Sequence, residues 1–283
     1  MTAWAVDSHV HIFDTRYPLS ADRNYDPEPG QLGSPVRLAA VLASHGLSHA
    51  LLVQAEPYRF DNSALLRAIA DFGGRYKGIA LVPPDIGETE LLRLHDAGVV
   101  GIRFNLTSFG TSQFEHPATP ALLARLQRLG MVLQIHCEHD QLAAVLPMLR
   151  QAPVRSMIDH WGRPDLRKGL DQPGFAALLE LGRRGNAVIK LSGAFRSSLA
   201  GPPYADVAPF IAAAVEAFTL DNCVWGSDWP FVKVDERIDY GPEFDCVARY
   251  FPDRADREKV LWHNPARLFG FAPLSPPNAA PPD

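Results

Sequence analysis

Two histidines lie close together near the start of the chain, in the segment Asp7-Ser8-His9-Val10-His11. In a β-strand, side chains two residues apart lie on the same face, so His9 and His11 are predicted to point together toward one metal ion or one substrate oxygen. This spacing alone is a weak signal, because a buried histidine can equally hydrogen-bond to backbone in a core. The prediction depends on which other groups reach the same place.

Three further groups of the same chemistry end later apolar runs: His136, His160 and Asp228. Neutral imidazole and carboxylate are ligands that suit zinc and similar ions, and a carboxylate beside such an ion can take the proton of an attacking water. The combination indicates a hydrolase. For any single histidine, a purely structural role stays open.

The elements that must position these groups are predicted from short apolar, β-branched runs that alternate with helix-like stretches, a pattern typical of parallel strands joined by crossover helices. Eight runs are predicted as strands, over residues 5–13, 49–54, 78–82, 100–105, 132–136, 155–160, 187–192 and 222–227. Together with the histidines and the aspartate above, they predict an α/β fold, a TIM (β/α)8 barrel of the metal-dependent-hydrolase type, with catalytic groups at the C-terminal ends of its strands. We expect a single barrel domain over residues 1–272 and a proline-rich C-terminal tail over residues 273–283.

Two arginines are expected to face the barrel mouth, Arg103 at the end of the fourth strand and Arg196 after the seventh. Guanidinium pairs with carboxylate through two parallel hydrogen bonds, so both residues predict an acidic small-molecule substrate. The alternatives are a salt bridge from Arg103 to Asp159 or Glu138, and surface exposure of Arg196.

The connection over residues 14–34 is long enough to fold over the barrel mouth. Tyr25 in this loop and Asn105 at the end of the fourth strand are candidate substrate-binding residues. Lys190 is expected to be structural, because it precedes the end of its strand. Secondary candidates are Arg163, Tyr58 and Glu138.

Charge and composition argue against several other classes of protein. A formal net charge of −5 gives no basic stripe for nucleic acid and no polybasic segment for a membrane surface, so neither partner is expected. The absence of an export signal and of a long apolar run favours a cytoplasmic enzyme, and a homodimer is left open. Three cysteines without CxxC spacing indicate reduced thiols, and Cys137 is expected to pack outside the barrel rather than act as a nucleophile.

With these residues assembled, the sequence resembles the amidohydrolase superfamily, and within it the branch that contains 2-pyrone-4,6-dicarboxylate lactonase and related sugar-acid lactonases. The resemblance runs through nearly the whole chain. It rests on an ordered set of segments that includes DSHVHIF, IDHWGRP, WGSDWP and NPARLFGF.

The resemblance implies hydrolysis of a cyclic ester. His9, His11 and His160 would polarise the lactone carbonyl, and Asp228 would be the general base. Fixed donors or a cation at the carbonyl oxygen stabilise the negative charge that develops in the transition state. Similar proteins include members with and without a metal, so either no cofactor or one divalent ion, zinc or manganese, is expected. The ligands of that ion would be His9, His11, His136 and Asp228.

Arg103 and Arg196 match family positions that hold the carboxylates of the substrate. The pyrone lactonase has a further basic residue after the fourth strand, where residues 105–110 of this chain read NLTSFG, so the acidic lactone itself stays open. Three other functions remain as alternatives: a metal-dependent decarboxylase of an unsaturated or aromatic acid, an isomerase of sugar-acid lactones, and a catalytically silent protein that binds small acids.

Overall fold

The computed structural model describes residues 4–274, and its centre is one sheet of eight parallel strands. The strands, β1 to β8 in chain order, are Val6–Val10, His49–Val53, Tyr76–Ala80, Val99–Asn105, Val132–His136, Ser156–Ile158, Ala187–Ser192 and Cys223–Gly226. Each strand pairs with the next one along the chain. The segment after β8 returns to β1, because the N–H of His11 donates to the carbonyl of Trp229 at 2.8 Å. The predicted TIM barrel is therefore confirmed.

Closure of the barrel needs a close approach between β8 and β1, and Gly226 permits it. A Cβ atom at this position would lie 2.6 Å from the backbone nitrogen of His9. Backbone cannot move aside as the end of a flexible side chain can, so only glycine fits here without a shift of β1.

Helices cover the outside of the barrel. In chain order they are α1 Pro35–Ser44, α2 Ser63–Asp71, α3 Glu88–Asp96, α4 Leu106–Phe109, α5 Ser112–Glu115, α6 Thr119–Arg128, α7 Gln141–Gln151, α8 Pro173–Arg183, α9 Ala208–Phe218, α10 Tyr240–Tyr250, α11 Arg254–Glu258 and α12 Asn264–Phe269. A π-helical turn, Lys259–His263, joins the last two. Over residues 4–274, no helix is long and apolar enough to cross a bilayer.

An apolar layer fills the interior of the barrel below the candidate site. Alternate residues of the strands face inward and contribute Val6, Leu51, Ile79, Val132, Met157, Val188 and Val224. The C-terminal segment adds Trp262, Phe269 and Phe271 to this layer. Trp262 and Phe271 pack against His49, the first residue of β2, so the C-terminal segment closes the N-terminal end of the barrel.

A bulge in β1 sets the direction of the site histidines. Asp7 pairs with Ala50 and Val10 pairs with Leu52, so the same stretch spans three steps on β1 and two on β2. An extra residue of this kind re-aims the side chains around it. Asp7 accepts a hydrogen bond from the hydroxyl of Tyr240 on α10, at 2.8 Å, and so faces the outer helices.

The structure differs from the sequence prediction at β6. This strand ends at Ile158, although the apolar pattern predicts a strand over residues 155–160, because the chain turns into a left-handed conformation at His160, where φ is 49°.

Of the predicted tail, residues 275–283 lie outside the described residues. All three cysteines are buried and free, and burial raises the pKa of Cys137 to about 12, so it is not an activated nucleophile.

Candidate active site

His11 lines a cavity in the barrel mouth, and His9 lies buried beside it. Their Nε2 atoms are 3.3 Å apart, and both side chains are buried. Nδ1 of His11 is 2.9 Å from the carbonyl oxygen of Val53, at the end of β2. A carbonyl oxygen only accepts, so Nδ1 of His11 donates, and Nε2 of neutral His11 carries a lone pair.

Asp228 follows β8 and is fixed against the same two histidines. Its backbone N–H donates to the carbonyl of His9 at 2.8 Å, and its Oδ1 lies 3.4 Å from Nε2 of His11 and 3.7 Å from Nε2 of His9. Burial alone would raise the pKa of this carboxyl, but Arg196 and His160 hold it well below its usual range. Asp228 is therefore a carboxylate at neutral pH.

His160 reaches the site from a strained turn after β6. His160, Trp161 and Arg163 adopt left-handed φ values of 49°, 43° and 44°, which side-chain-bearing residues rarely populate. The buried indole N–H of Trp161 donates to the carbonyl of Ser192 at 3.1 Å and anchors this turn. Nε2 of His160 lies 3.8 Å from Oδ2 of Asp228, and burial lowers the pKa of His160 to about 3, so the ring is neutral at pH 7.

The donor set of His9, His11 and Asp228 fits one divalent ion. With ligand bonds of about 2.1 Å in tetrahedral geometry, donor atoms lie roughly 3.4 Å apart. The three separations here are 3.3, 3.4 and 3.7 Å. Burial also lowers the pKa of His9 well below its usual value, and a neutral ring is the form that binds metal.

His136, the other predicted ligand, lies apart from this group. Among residues 4–274, the cluster that brings donor atoms together around Asp228 contains His9 and His11 but not His136. Nδ1 of His136 lies 3.7 Å from Asp159 and has no hydrogen-bond partner among the described residues. Because its ring lines the cavity, His136 faces the place where a substrate would bind.

A buried polar layer lies directly below the histidines. Lys190 and Asp159 are both fully buried, with Nζ of Lys190 3.5 Å from Oδ1 of Asp159 and 2.7 Å from Oε1 of Gln134. Oδ2 of Asp159 accepts from Nε2 of Gln134 at 2.9 Å and from Nε of Arg103 at 3.2 Å. Burial lowers the pKa of Lys190 to about 8, which leaves it mainly an ammonium at pH 7. Arg103 therefore makes the salt bridge that the sequence left open, and it also lines the cavity above.

The cavity above the histidines has a volume of about 240 Å³ and a charged wall. Its charged residues are Arg103, Arg163, Arg196, Lys233, Glu56, Glu138 and Asp228. Arg196 donates from Nε to Oδ2 of Asp228, and Nη1 of Arg163 lies 3.1 Å from Glu138. Lys233 makes no ion pair with any residue that the structure describes, and its ammonium lies 5.3 Å from the ring centroid of Tyr25.

Tyr25 and Asn105, both predicted to bind substrate, line this cavity. The side-chain oxygen of Asn105 accepts from two backbone N–H groups in the first turn of α4, at 3.1 and 3.3 Å. This cap leaves the amide nitrogen of Asn105 for a ligand. The loop over residues 14–34 covers the mouth as predicted, and Nδ2 of its Asn24 donates to Oγ of Ser108 at 3.0 Å.

Six cavity residues were not predicted: Asn24, Glu56, Thr107, Ser108, Val232 and Lys233. Each belongs to a segment that follows a barrel strand at its C-terminal end, which is the available signal in the sequence. Of the secondary candidates, Arg163 and Glu138 line the cavity. Tyr58 does not, because its hydroxyl group donates to the carbonyl of Asp14 at 3.1 Å, below the loop.

Comparison with known proteins extends over the whole barrel. A 2-pyrone-4,6-dicarboxylate hydrolase from Comamonas testosteroni is 32% identical over 281 residues, covering 95% of this chain and 91% of the relative. A 4-sulfomuconolactone hydrolase from Hydrogenophaga intermedia is 29% identical over 270 residues, covering 93% of this chain and 88% of the relative.

A solved structure and a family model also match nearly the whole chain. The structure of a probable 2-pyrone-4,6-dicarboxylic acid hydrolase from Acinetobacter baumannii, with citric acid bound, has a TM-score of 0.83 at 29% identity and covers 94% of this chain and 99% of that one. A family model described as amidohydrolase matches residues 6–271. Since this match includes every strand of the barrel, the chain belongs to the amidohydrolase family.

Proposed function

We propose that this chain is a lactonase, a carboxylic ester hydrolase that opens a carboxylate-bearing lactone by attack of water on the ester carbonyl. The substrate is 2-pyrone-4,6-dicarboxylate or a related acid lactone. The observation that carries the proposal is that His9, His11, His160 and Asp228 surround one position below a wall rich in cations. Two relatives named as hydrolases of acid lactones support it.

In this reaction Asp228 takes a proton from the attacking water while the oxygen forms a bond to the carbonyl carbon. The carbonyl oxygen gains negative charge, and buried imidazole donors stabilise that charge more strongly than water would. When the tetrahedral intermediate collapses, the ring C–O bond breaks, and the proton held by Asp228 passes to the departing oxygen. The product is an open-chain acid.

The acidic part of the substrate has a partner in Arg196. In the free protein this guanidinium bonds to Asp228. A substrate carboxylate that draws it away removes a cation from beside Asp228, and the pKa of Asp228 then rises toward a value that suits a general base. Binding of an acid lactone thus prepares the base that hydrolyses it.

The cofactor requirement is either none or one divalent ion, zinc or manganese. His9, His11 and Asp228 would hold such an ion, with His136 free to contact substrate. An ion there would supply Lewis-acid polarisation of the lactone carbonyl. The cytoplasmic location and the homodimer stay predictions.

A substrate screen tests the function. The panel contains 2-pyrone-4,6-dicarboxylate, 4-sulfomuconolactone, sugar-acid lactones and one neutral δ-lactone, and ring opening is followed by absorbance and by acid release, with metal analysis of the same sample. We expect an acidic lactone to be opened and the neutral one to react poorly. A product that is still a lactone would indicate an isomerase, carbon dioxide release that chelation abolishes would indicate a decarboxylase, and binding without turnover would indicate a silent protein.

A further inference from the structure

Nδ1 of His9 has two neighbours in the buried polar layer, and they require opposite tautomers of its ring. Nζ of Lys190 lies 3.4 Å away and Oδ1 of Asp159 lies 3.3 Å away. An ammonium only donates and a carboxylate only accepts. If Lys190 donates to Nδ1, the proton of neutral His9 is on Nε2. If Asp159 accepts from Nδ1, Nε2 carries a lone pair instead.

The geometry favours Lys190 as the partner. The contact between Lys190 and His9 has the alignment of a hydrogen bond, whereas Oδ1 of Asp159 is buried and has no hydrogen-bond partner among residues 4–274. Oδ1 lies 3.3 Å from Nδ1 of His9 but makes no hydrogen bond to it in this arrangement. The other oxygen of Asp159 is occupied by Gln134 and Arg103.

The next link agrees with this choice. A proton on Nε2 of His9 faces Nε2 of His11, 3.3 Å away, which carries a lone pair in the neutral ring because Nδ1 of His11 donates to Val53. Lys190, His9, His11 and the carbonyl of Val53 therefore form one chain in which every donor meets an acceptor. The opposite tautomer would place two lone pairs against each other, which is unfavourable unless a cation lies between them.

We propose that Lys190 is a positioning residue that keeps the proton of His9 on Nε2, so that a lactone carbonyl can replace Nε2 of His11 as the acceptor of that proton. The proposal rests on the lactonase function above. A metal ion needs a lone pair on Nε2 of His9, so its binding requires the proton to move to Nδ1, where Oδ1 of Asp159 would accept it. Lys190 thus favours the donor form of His9, and Asp159 favours the ligand form.

The tautomer can be observed directly in the unmodified protein. Histidine-selective 15N labelling and long-range 1H–15N correlation distinguish a protonated from an unprotonated ring nitrogen, and the spectrum of His9→Gln identifies the signals of His9. We expect Nε2 of metal-free His9 to be protonated and Nδ1 to be unprotonated. Protonation of Nδ1 would overturn the proposal, and this result does not depend on whether any Lys190 variant folds.

Replacement of Lys190 by Met removes the donor but keeps the length of the side chain. We expect the proton of His9 to move to Nδ1, zinc affinity measured against a chromophoric chelator to rise about tenfold or more, the size of effect known for partners of metal ligands, and metal-free kcat to fall with KM little changed. Lys190→Gln is the second variant if Lys190→Met does not fold. An unchanged tautomer and zinc affinity in the folded variant would overturn the proposal.

Two further proteins complete the test. Asp159→Asn removes the carboxylate that would accept from Nδ1 of His9 in the metal-binding tautomer. This variant should therefore have a lower zinc affinity, and the tautomer of His9 in the metal-free protein should be unchanged. Lys259→Met is the charge-matched control, because Lys259 pairs with Asp221 at 2.5 Å away from the cavity and should change neither readout. If the wild type opens no lactone, the proposed function fails, while the nitrogen spectrum still decides the role of Lys190.

Discussion

Arg196 donates from Nε to Oδ2 of Asp228, so the arginine expected to bind the substrate is bonded to the proposed general base before any substrate arrives. A second bond, from Nη2 of Arg196 to the carbonyl of Val232 at 3.1 Å, holds the guanidinium in this position. An acidic substrate must compete with Asp228 for the guanidinium. Substrate recognition and the strength of the base are therefore coupled through one side chain.

Replacement of Arg196 by Met should move the acidic limb of the kcat/KM profile to higher pH. Burial raises the pKa of Asp228, and Arg196 is the strongest of the groups that lower it, so its removal raises that pKa. Asp228 acts as a carboxylate, so activity is present above its pKa and is lost as the pH falls through it. A higher pKa thus brings the loss at a higher pH, which the kcat/KM profile of the free enzyme measures.

The control for this experiment is Arg150→Met, which removes a surface arginine paired with Glu180 at 2.6 Å. It changes the net charge equally but lies outside the cavity. The coupling between Arg196 and Asp228 would be refuted by an acidic limb that stays in place in Arg196→Met, or by one that moves equally in both variants.

Asp228→Asn should lower kcat on the best lactone by about 10²- to 10⁴-fold, the usual contribution of a positioned general base. The backbone N–H that bonds to His9 is untouched by this change, so the barrel should remain closed. Steady-state kinetics and thermal unfolding of the same preparation provide the test. Asp71→Asn, at an exposed pair with Arg67, is the matched control, and near-normal turnover in Asp228→Asn would remove Asp228 from the mechanism.

Lys233→Met should reduce kcat/KM by about tenfold for lactones with two anionic groups and much less for lactones with one, as expected for a solvent-accessible charge contact. Lys233 is the cavity-lining cation that has no ion pair with the described residues, so it is available to a second anionic group. Lys259→Met again provides the charge control. Equal losses of kcat/KM on both kinds of lactone would contradict a specific contact between Lys233 and the second anionic group.

Gly226→Ala should destabilise the protein by about 1–3 kcal/mol or more, because the added methyl overlaps the backbone of His9. Urea unfolding measures the change, and the activity of the folded fraction should fall because β1 carries the site histidines. Gly87→Ala is the control, since a Cβ there meets no atom within 4 Å and its φ is −64°. Equal stability of the two variants would contradict the closure argument.

The sequence was sufficient for the barrel and for the convergence of His9, His11, His160 and Asp228. Both depend on regular patterns: apolar runs mark parallel strands, and the ends of such strands meet at one face. The order of the strands followed from the same pattern, and the covering loop over residues 14–34 followed from the length of that connection.

Other features depend on contacts between distant segments and could not be predicted. The bulge after Asp7 cannot be predicted from the sequence of β1 alone, because it is defined by the pairing of β1 with β2. Lys190 was expected to be structural because it precedes the end of β7, and the sequence alone does not show that its ammonium lies 3.4 Å from Nδ1 of His9. The sequence also left open whether Arg103 pairs with Asp159 or with a substrate carboxylate. Only the distances in the structure show that Asp159 is its partner.

The aromatic residues at the opposite end of the barrel, Trp262, Phe269 and Phe271, determine how molecules reach the site. Because these residues close the N-terminal end of the barrel, the site is open only at the opposite end, as far as residues 4–274 define it. Lactone, water and the open-chain product must then share one entrance beneath the loop that Asn24 ties to Ser108.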